Sequence, residues 1–381
     1  MNKRILSAML ALIMMGTMSV SAADNTTYSA EAMTPIAGYF NSQSALDATL
    51  ISRFSMGGSD EDGGLIEIVT YNTAAQVAYA VAGSAGQLVT ISMTSVTTAG
   101  LAGTGVNMAE LVGEIDGFVY GDMSSIAINA TNTKLAVALQ AEGYNDDGMV
   151  AIFDVNADGS LAENPVFVPC GKQPDALTFT PDGTTILVAN EGEPRQGYGD
   201  GIVDPEGSVT MIDVASGTGT KVSFDGVSYD SNVLLKTGST PAQDFEPEYI
   251  AADNTTAYVA LQENNAIAVL DIASGTFTGV YGLGLQNFGN VALDMVADEV
   301  INLQTQDNVY GLYMPDGISM AAINGTTYLF TANEGDGREW GDEEGDNFYC
   351  NEQKGTTSPT GDVTLDEKVT WFNPGEYEML D

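Results

Sequence analysis

Residues 174–193, PDALTFTPDGTTILVANEGE, read as an acid after proline, an alternating strand, a Pro-Asp-Gly turn, a second apolar strand and an acidic exit. The same order of events returns at 247–263 (PEYIAADNTTAYVALQE) and 315–336 (PDGISMAAINGTTYLFTANEGD), and in paler form at 124–142 (SSIAINATNTKLAVALQAE). Three of these copies lead, directly or after an insertion, into a second shared phrase: VAIFDVNADG from Val150, VTMIDVASG from Val209 and IAVLDIASG from Ile267. The repeating unit is therefore two strands, a connection, a third strand and a turn, with room for a fourth strand. Units starting near Leu65, Ser124, Asp175, Glu248 and Asp316 are spaced by 59, 51, 73 and 68 residues. A single four-stranded sheet cannot bury both its faces until neighbours stack on it, so such a repeat predicts the blades of a β-propeller, of the YVTN or WD40 type, enlarged by loops.

Composition supports an all-β chain. Forty-three glycines, short β-rich segments and few helix-like stretches in 381 residues speak against alternating α/β units. The first unit, IEIVTYNTAAQVAYAVAG followed by GQLVTISM, lacks both acidic marker positions and reads as structural. Ile51–Met56 is expected to be an edge or closing strand, and Phe167–Pro174 to open the third unit. The stretch from Tyr281 to Tyr313 has weak periodicity and is expected to be an ordered insertion on the propeller face.

The chain opens with a charged Asn2-Lys3-Arg4, a short apolar run Ile5–Met18 and small residues at Val20-Ser21-Ala22. This is the pattern of a secretory signal peptide, too brief to span a bilayer. The expected organisation is a signal peptide at 1–22, a lead-in at 23–50 and a propeller domain at 51–381, in a protein exported to the periplasm, the cell surface or the medium. No later segment reaches 18 continuous apolar residues, so no integral membrane segment is expected in the mature chain. Fifty-two acidic residues against eleven basic ones give a net charge of -41. Such a polyanion repels nucleic acid and anionic membranes and attracts cations.

In a propeller the inner strand starts on the same face to which the link between the second and third strands returns. Asp175, Glu248 and Asp316 start inner strands, whereas Glu191, Glu193, Glu263, Glu334 and Asp336 follow second strands, so all eight are expected on one face. Crowded carboxylates need protons or cations. Oxygen-only donors select hard ions, with Ca²⁺ first and Mg²⁺ or Mn²⁺ behind it, and a plain solvated acidic rim is the alternative. No organic cofactor is inferred. The chain has no histidine, which removes imidazole metal sites and Ser-His-Asp catalysis, and two cysteines cannot build a Cys₄ zinc site. Lys172, Arg195 and Arg338 lie near this face, where they could steer an anion or pair with the acids. Asp154, Asp213 and Asp271 each precede a turn and are expected to fix it by accepting backbone hydrogen bonds. Asp182 has the same kind of task on the opposite face. Both Cys170 and Cys350 fall in loops of the acidic face, and an oxidising destination makes a disulfide between them the expectation.

The stretches LTFTPDGTTILVANEGEP, DPEGSVTMIDV, FEPEYIAADNTTAYVALQENNAIAVLDI, VYGLYMPDGI and TYLFTANEGDGREWG together resemble the choice-of-anchor I family of secreted bacterial β-propellers. That family is also similar to mesenchyme-specific cell-surface glycoproteins and to YVTN or quinoprotein-like propellers. The resemblance covers about Phe54 to Gly341 and implies export. Family members continue well past the TANEGD unit, so an open or irregular arc is expected here, with four units and half of a fifth. The repeats account for nearly every unusual residue, which favours a binding or scaffold module for a protein, glycan or small molecule. The alternative is a metal-dependent phosphoesterase of alkaline-phosphatase or phytase type, since some relatives carry a phosphatase label.

Overall fold

A computed structural model describes residues 25–30, 36–40, 48–57, 65–198, 201–236, 238–294, 300–307, 309–335, 337–340, 349–350, 355–357 and 363–365. The chain is an open, propeller-like all-β fold. Three sheets of four antiparallel strands follow one another, each ordered from inside to outside in chain order apart from one additional strand in the sheet before them. The second blade runs Tyr120–Ile128, Lys134–Ala141, Asp147–Asp154 and Val166–Lys172. The third runs Pro174–Phe179, Thr185–Asn190, Ser208–Asp213 and Thr218–Ser223, and the fourth Pro247–Ala252, Thr256–Leu261, Ala266–Asp271 and Thr276–Gly282. The first blade adds Asn25–Tyr28 as a fifth, outermost strand against Gly103–Asn107. The fifth shows its inner hairpin, Pro315–Ile323 with Thr326–Asn333.

Alternation decides which neighbour each side chain meets, because the middle strands are buried on both faces. Val137 and Leu139 pack with Val77, Tyr79 and Val81 of the first blade, while Ala136 and Ala138, one position away, pack with Leu177, Ile186 and Val188 of the third. Leu187 and Ala189 then face Ala257, Val259 and Leu261 of the fourth. The outward face of the first blade is covered by Tyr28, Phe54, Met56 and Ile66. Residues 51–56 form no strand; they act through Phe54 and Met56 as a cover.

The hairpin turns on the far face follow their residue chemistry. The Asp182 carboxylate accepts from Thr180 Oγ1 at 2.7 Å and from Thr184 N at 3.0 Å, and Gly183 takes φ 71°. Asp253 does the same for Thr255 and Thr256. Neighbouring turns are tied together, Asp182 N donating to Asn254 Oδ1 at 3.0 Å and Thr73 N to Asn132 Oδ1 at 3.3 Å.

Two boundaries differ from the sequence reading. Val166–Lys172 is the outer strand of the second blade, paired with Asp147–Asp154, and Gln173 alone carries the chain inward to Pro174. Gln173 manages this with φ 48° and an amide that donates to Tyr144 O and Glu193 O. The fourth blade's outer strand extends to Gly282, so the insertion proper begins later; within it Leu285–Asn287 pairs with Tyr310–Leu312. Asn265 closes its base, its Oδ1 accepting from Tyr313 N and Met314 N and its Nδ2 donating to Gly284 O.

Candidate functional site

The three inner strands that start with Pro plus an acid share one distortion. Pro174 is opposite Asn190, Pro247 opposite Leu261 and Pro315 opposite Asn333, and in each strand the register slips before the residue three positions on. A bulge re-aims the side chains within it. Asp175, Glu248 and Asp316 occupy that position, and because inner strands of successive blades lie side by side, the three acids sense one another's charge. The second strands then deliver Glu191, Glu193 and Glu263 into the same field, and Glu334 acts on Tyr249 beside them. The structure thus brings seven of the eight expected acids into one electrostatic neighbourhood; Asp336 lies outside the described residues.

Burial and like charge raise four acids of this cluster, Asp175, Glu191, Glu193 and Glu248. Burial, reinforced by Glu193, Asp175, Glu248 and Glu263, pushes Glu191 well above the usual carboxyl range. Glu191 and Glu193 are hydrogen-bonded to each other, and Arg195 sits 2.6 Å from Glu193 Oε2. Glu193 is itself raised by burial, against the pull of Arg195. Asp175 is pushed up to about 7 by burial and by Glu193 and Asp316. Glu248 reaches about 11, through burial first and Glu263 next. One end of the Gln262 amide lies 2.8 Å from Glu248 Oε2 and 3.2 Å from Oε1. With nitrogen there it donates to a carboxylate; with oxygen there it accepts from a carboxylic acid.

A second polar cluster, which the sequence reading missed, adjoins this one. Arg338 is buried, with Nη1 2.6 Å from Asp244 Oδ1, Nη2 3.0 Å from Asp244 O and Nε 3.2 Å from Glu246 Oε1. The acid-Pro-acid run Glu246-Pro247-Glu248 was its visible trace: Glu246, just before the strand, faces Arg338, while Glu248, inside the bulge, joins the axial acids. The other two cations, which the sequence left between steering an anion and pairing with acids, pair: Lys172 with Asp147 at 3.5 Å, also contacting Asn145 O, and Arg195 with Glu193.

Among the described residues, no three His, Cys, Asp or Glu side chains converge in a way that would hold a metal ion. Cys170 is buried, packed with Val168, Leu177 and Ile186, and burial raises its pKa. The side chain of Cys350 lies outside the described residues, so the expected Cys170–Cys350 pairing stays open. Asp213 and Asp271 accept from the backbone of Ser216 and Ser274 as turn residues should, whereas Asp154 pairs with Lys134 at 2.7 Å. No described helix is long and apolar enough to cross a membrane.

The choice-of-anchor I domain matches residues 67–379. The chain belongs to that family. No curated protein matches it. Among solved structures it is similar to hydrazine synthase of Kuenenia stuttgartiensis, at 13% identity and a TM-score of 0.38 over 68% of this chain and 72% of that one. It is likewise similar to a protein from Lactobacillus plantarum, at 16% identity and a TM-score of 0.37 over 78% and 69% respectively. Likenesses this distant carry no argument about activity.

Proposed function

We propose that this choice-of-anchor I chain is the binding or scaffold module of an exported protein, and that its acidic mouth responds to Ca²⁺. One observation carries this reading: Asp175, Glu191, Glu193, Glu248, Glu263 and Asp316 lie within one another's electrostatic reach, and Arg195 pairs with Glu193 among them. A hard divalent cation could take the place of protons there, because oxygen donors suit it and charge neutralisation favours the exchange. The side chains would have to close in on the ion from their present positions, since no three of those described converge now. Uptake would release protons and tighten as pH rises.

Calorimetric titration with CaCl₂ at pH 6 and pH 8, at matched ionic strength, tests it. Saturable binding, stronger at pH 8, should be lost when Glu248→Gln is combined with Asp316→Asn and kept when Asp182→Asn is combined with Asp213→Asn. Equal, non-saturating heats in every variant would leave a solvated acidic surface. A phosphoester panel run on the calcium-loaded protein separates the hydrolytic alternative: turnover that follows metal occupancy would replace the scaffold reading.

A further inference from the structure

The fifth blade's hairpin leaves one strand paired on a single edge. In the first four blades the second strand is bonded along both edges, as Thr185–Asn190 is between Pro174–Phe179 and Ser208–Asp213. Thr326–Asn333 has Pro315–Ile323 on one edge and, among the described residues, no strand on the other. An open edge presents a row of backbone N–H and C=O groups, and folded proteins guard such edges with charge, proline or a bulge. Here the guards are missing. From Gly317 to Asn333 the chain carries no Asp, Glu, Lys, Arg or Pro, and the hairpin's register slip lies back between Pro315 and Ile318 of the inner strand. The side chains beside the edge are also open. Ile318, Met320, Leu329 and Thr331 are half-buried on one face of the hairpin, which packs against the fourth blade. On the other face Tyr328 pairs with Ala321 and Phe330 with Ser319, and the two aromatic residues are 48% and 51% exposed.

The order of residues along the strand selects what covers it. About Leu329, the sequence Thr327-Tyr328-Leu329-Phe330-Thr331 has an aromatic residue on either side and then a threonine on either side. Two copies paired antiparallel with Leu329 opposite Leu329 would set Tyr328 against Phe330 and Thr327 against Thr331, each twice. Aromatic pairs and Thr–Thr pairs are among the favourable cross-strand neighbours. Such a pairing of identical strands is two-fold symmetric, the commonest closed form of assembly. Charge points the same way: a chain at -41 repels its own copies, and an uncharged strand lets two of them meet without setting carboxylates opposite one another. We propose that the chain dimerises through this edge, Thr326–Ala332 of each copy pairing antiparallel about Leu329 so that two fifth blades become one continuous sheet. None of the acids in the calcium reading lies on this strand, so the two proposals stand or fall separately.

Sedimentation velocity over a dilution series tests the dimer. The unaltered protein should reach twice the monomer mass, and should do so at lower concentration as sodium chloride screens the repulsion. Tyr328→Glu combined with Phe330→Glu sets carboxylates opposite each other at two places and should hold the protein at the monomer mass. Tyr328→Glu combined with Phe330→Lys faces each acid with a base and should restore the dimer, which neither misfolding nor lost apolar surface would allow. Amide hydrogen exchange locates the contact: residues 326–332 should exchange more slowly as the concentration of wild type rises and should not do so in the Glu/Glu variant, while the second blade exchanges alike in all three proteins. A monomer at every concentration, a Glu/Lys variant that fails to reassemble, or a dimer that leaves those amides unprotected would overturn the proposal.

Discussion

Glu248 and Asp175 invert the usual behaviour of carboxyl groups in folded proteins. Glu248 titrates near 11 when folded and near its ordinary value of 4.5 when unfolded. Between those limits the folded state keeps a proton that the unfolded state has released, so stability falls as pH rises. Asp175 contributes in the same direction from its ordinary 3.8 up to about 7. Each such group tilts the stability curve by at most about 1.4 kcal/mol per pH unit. Glu248→Gln should therefore cost less than about 1 kcal/mol at pH 7, where the native group is already neutral, and should flatten the decline toward alkaline pH. Glu248→Ala, which leaves the Gln262 amide unmatched and opens a cavity, should cost about 2–3 kcal/mol at the same pH. Urea melts of the three proteins from pH 5 to 9 provide the comparison; parallel curves for wild type and Glu248→Gln would show that Glu248 ionises normally. The turn acids oppose this trend. Asp182, Asp213, Asp253 and Asp271 are lowered by the hydrogen bonds they accept, so their contribution is present above the ordinary carboxyl value and is lost as pH falls.

Asn265 carries the argument at the scale of elements. It sits at φ 48° between two central strands of the fourth blade, and its side chain binds both ends of the insertion that separates this blade from the fifth. Asn265→Ala removes three hydrogen bonds at a left-handed position and should destabilise by about 3 kcal/mol. Hydrogen exchange should then report faster opening of 285–312 while the second blade stays protected. Gly207 is the corresponding test of docking between blades three and four. A Cβ there would collide with the carbonyl oxygen of Phe245 and lie 2.8 Å from Pro247 Cδ. Gly207→Ala should cost about 1–3 kcal/mol, whereas Gly317→Ala, whose Cβ would meet only Ala332 Cβ at an ordinary 3.7 Å, should be tolerated. These residues also mark what the sequence could reveal. Repeated turns and alternating strands gave the blades and the common placement of Asp175, Glu248 and Asp316, because local spacing determines both. Contacts between distant loops leave no periodic trace, so nothing in the sequence singled out Asn265, Gln173 fell in the segment expected to open the third unit, and Arg338 was left between steering an anion and pairing with acids.

For the molecule as a whole, a net charge of -41 makes self-repulsion a standing cost of the folded state. Sodium chloride should raise the melting temperature steadily as screening shortens the range of that repulsion, and scanning calorimetry between low and physiological ionic strength would show it. A melting temperature indifferent to salt would mean that the surface acids are already locally compensated. The links between blades are far from uniform, however. One residue, Gln173, passes the chain from the second blade to the third, while everything from Leu283 to Met314 lies between the fourth and the fifth. Under tension applied at its two ends the structure would therefore have a weak seam and a strong one. In an optical trap the hairpin Pro315–Asn333 should peel away first and release the slack of the insertion as one long step, leaving blades two and three to rupture later and together.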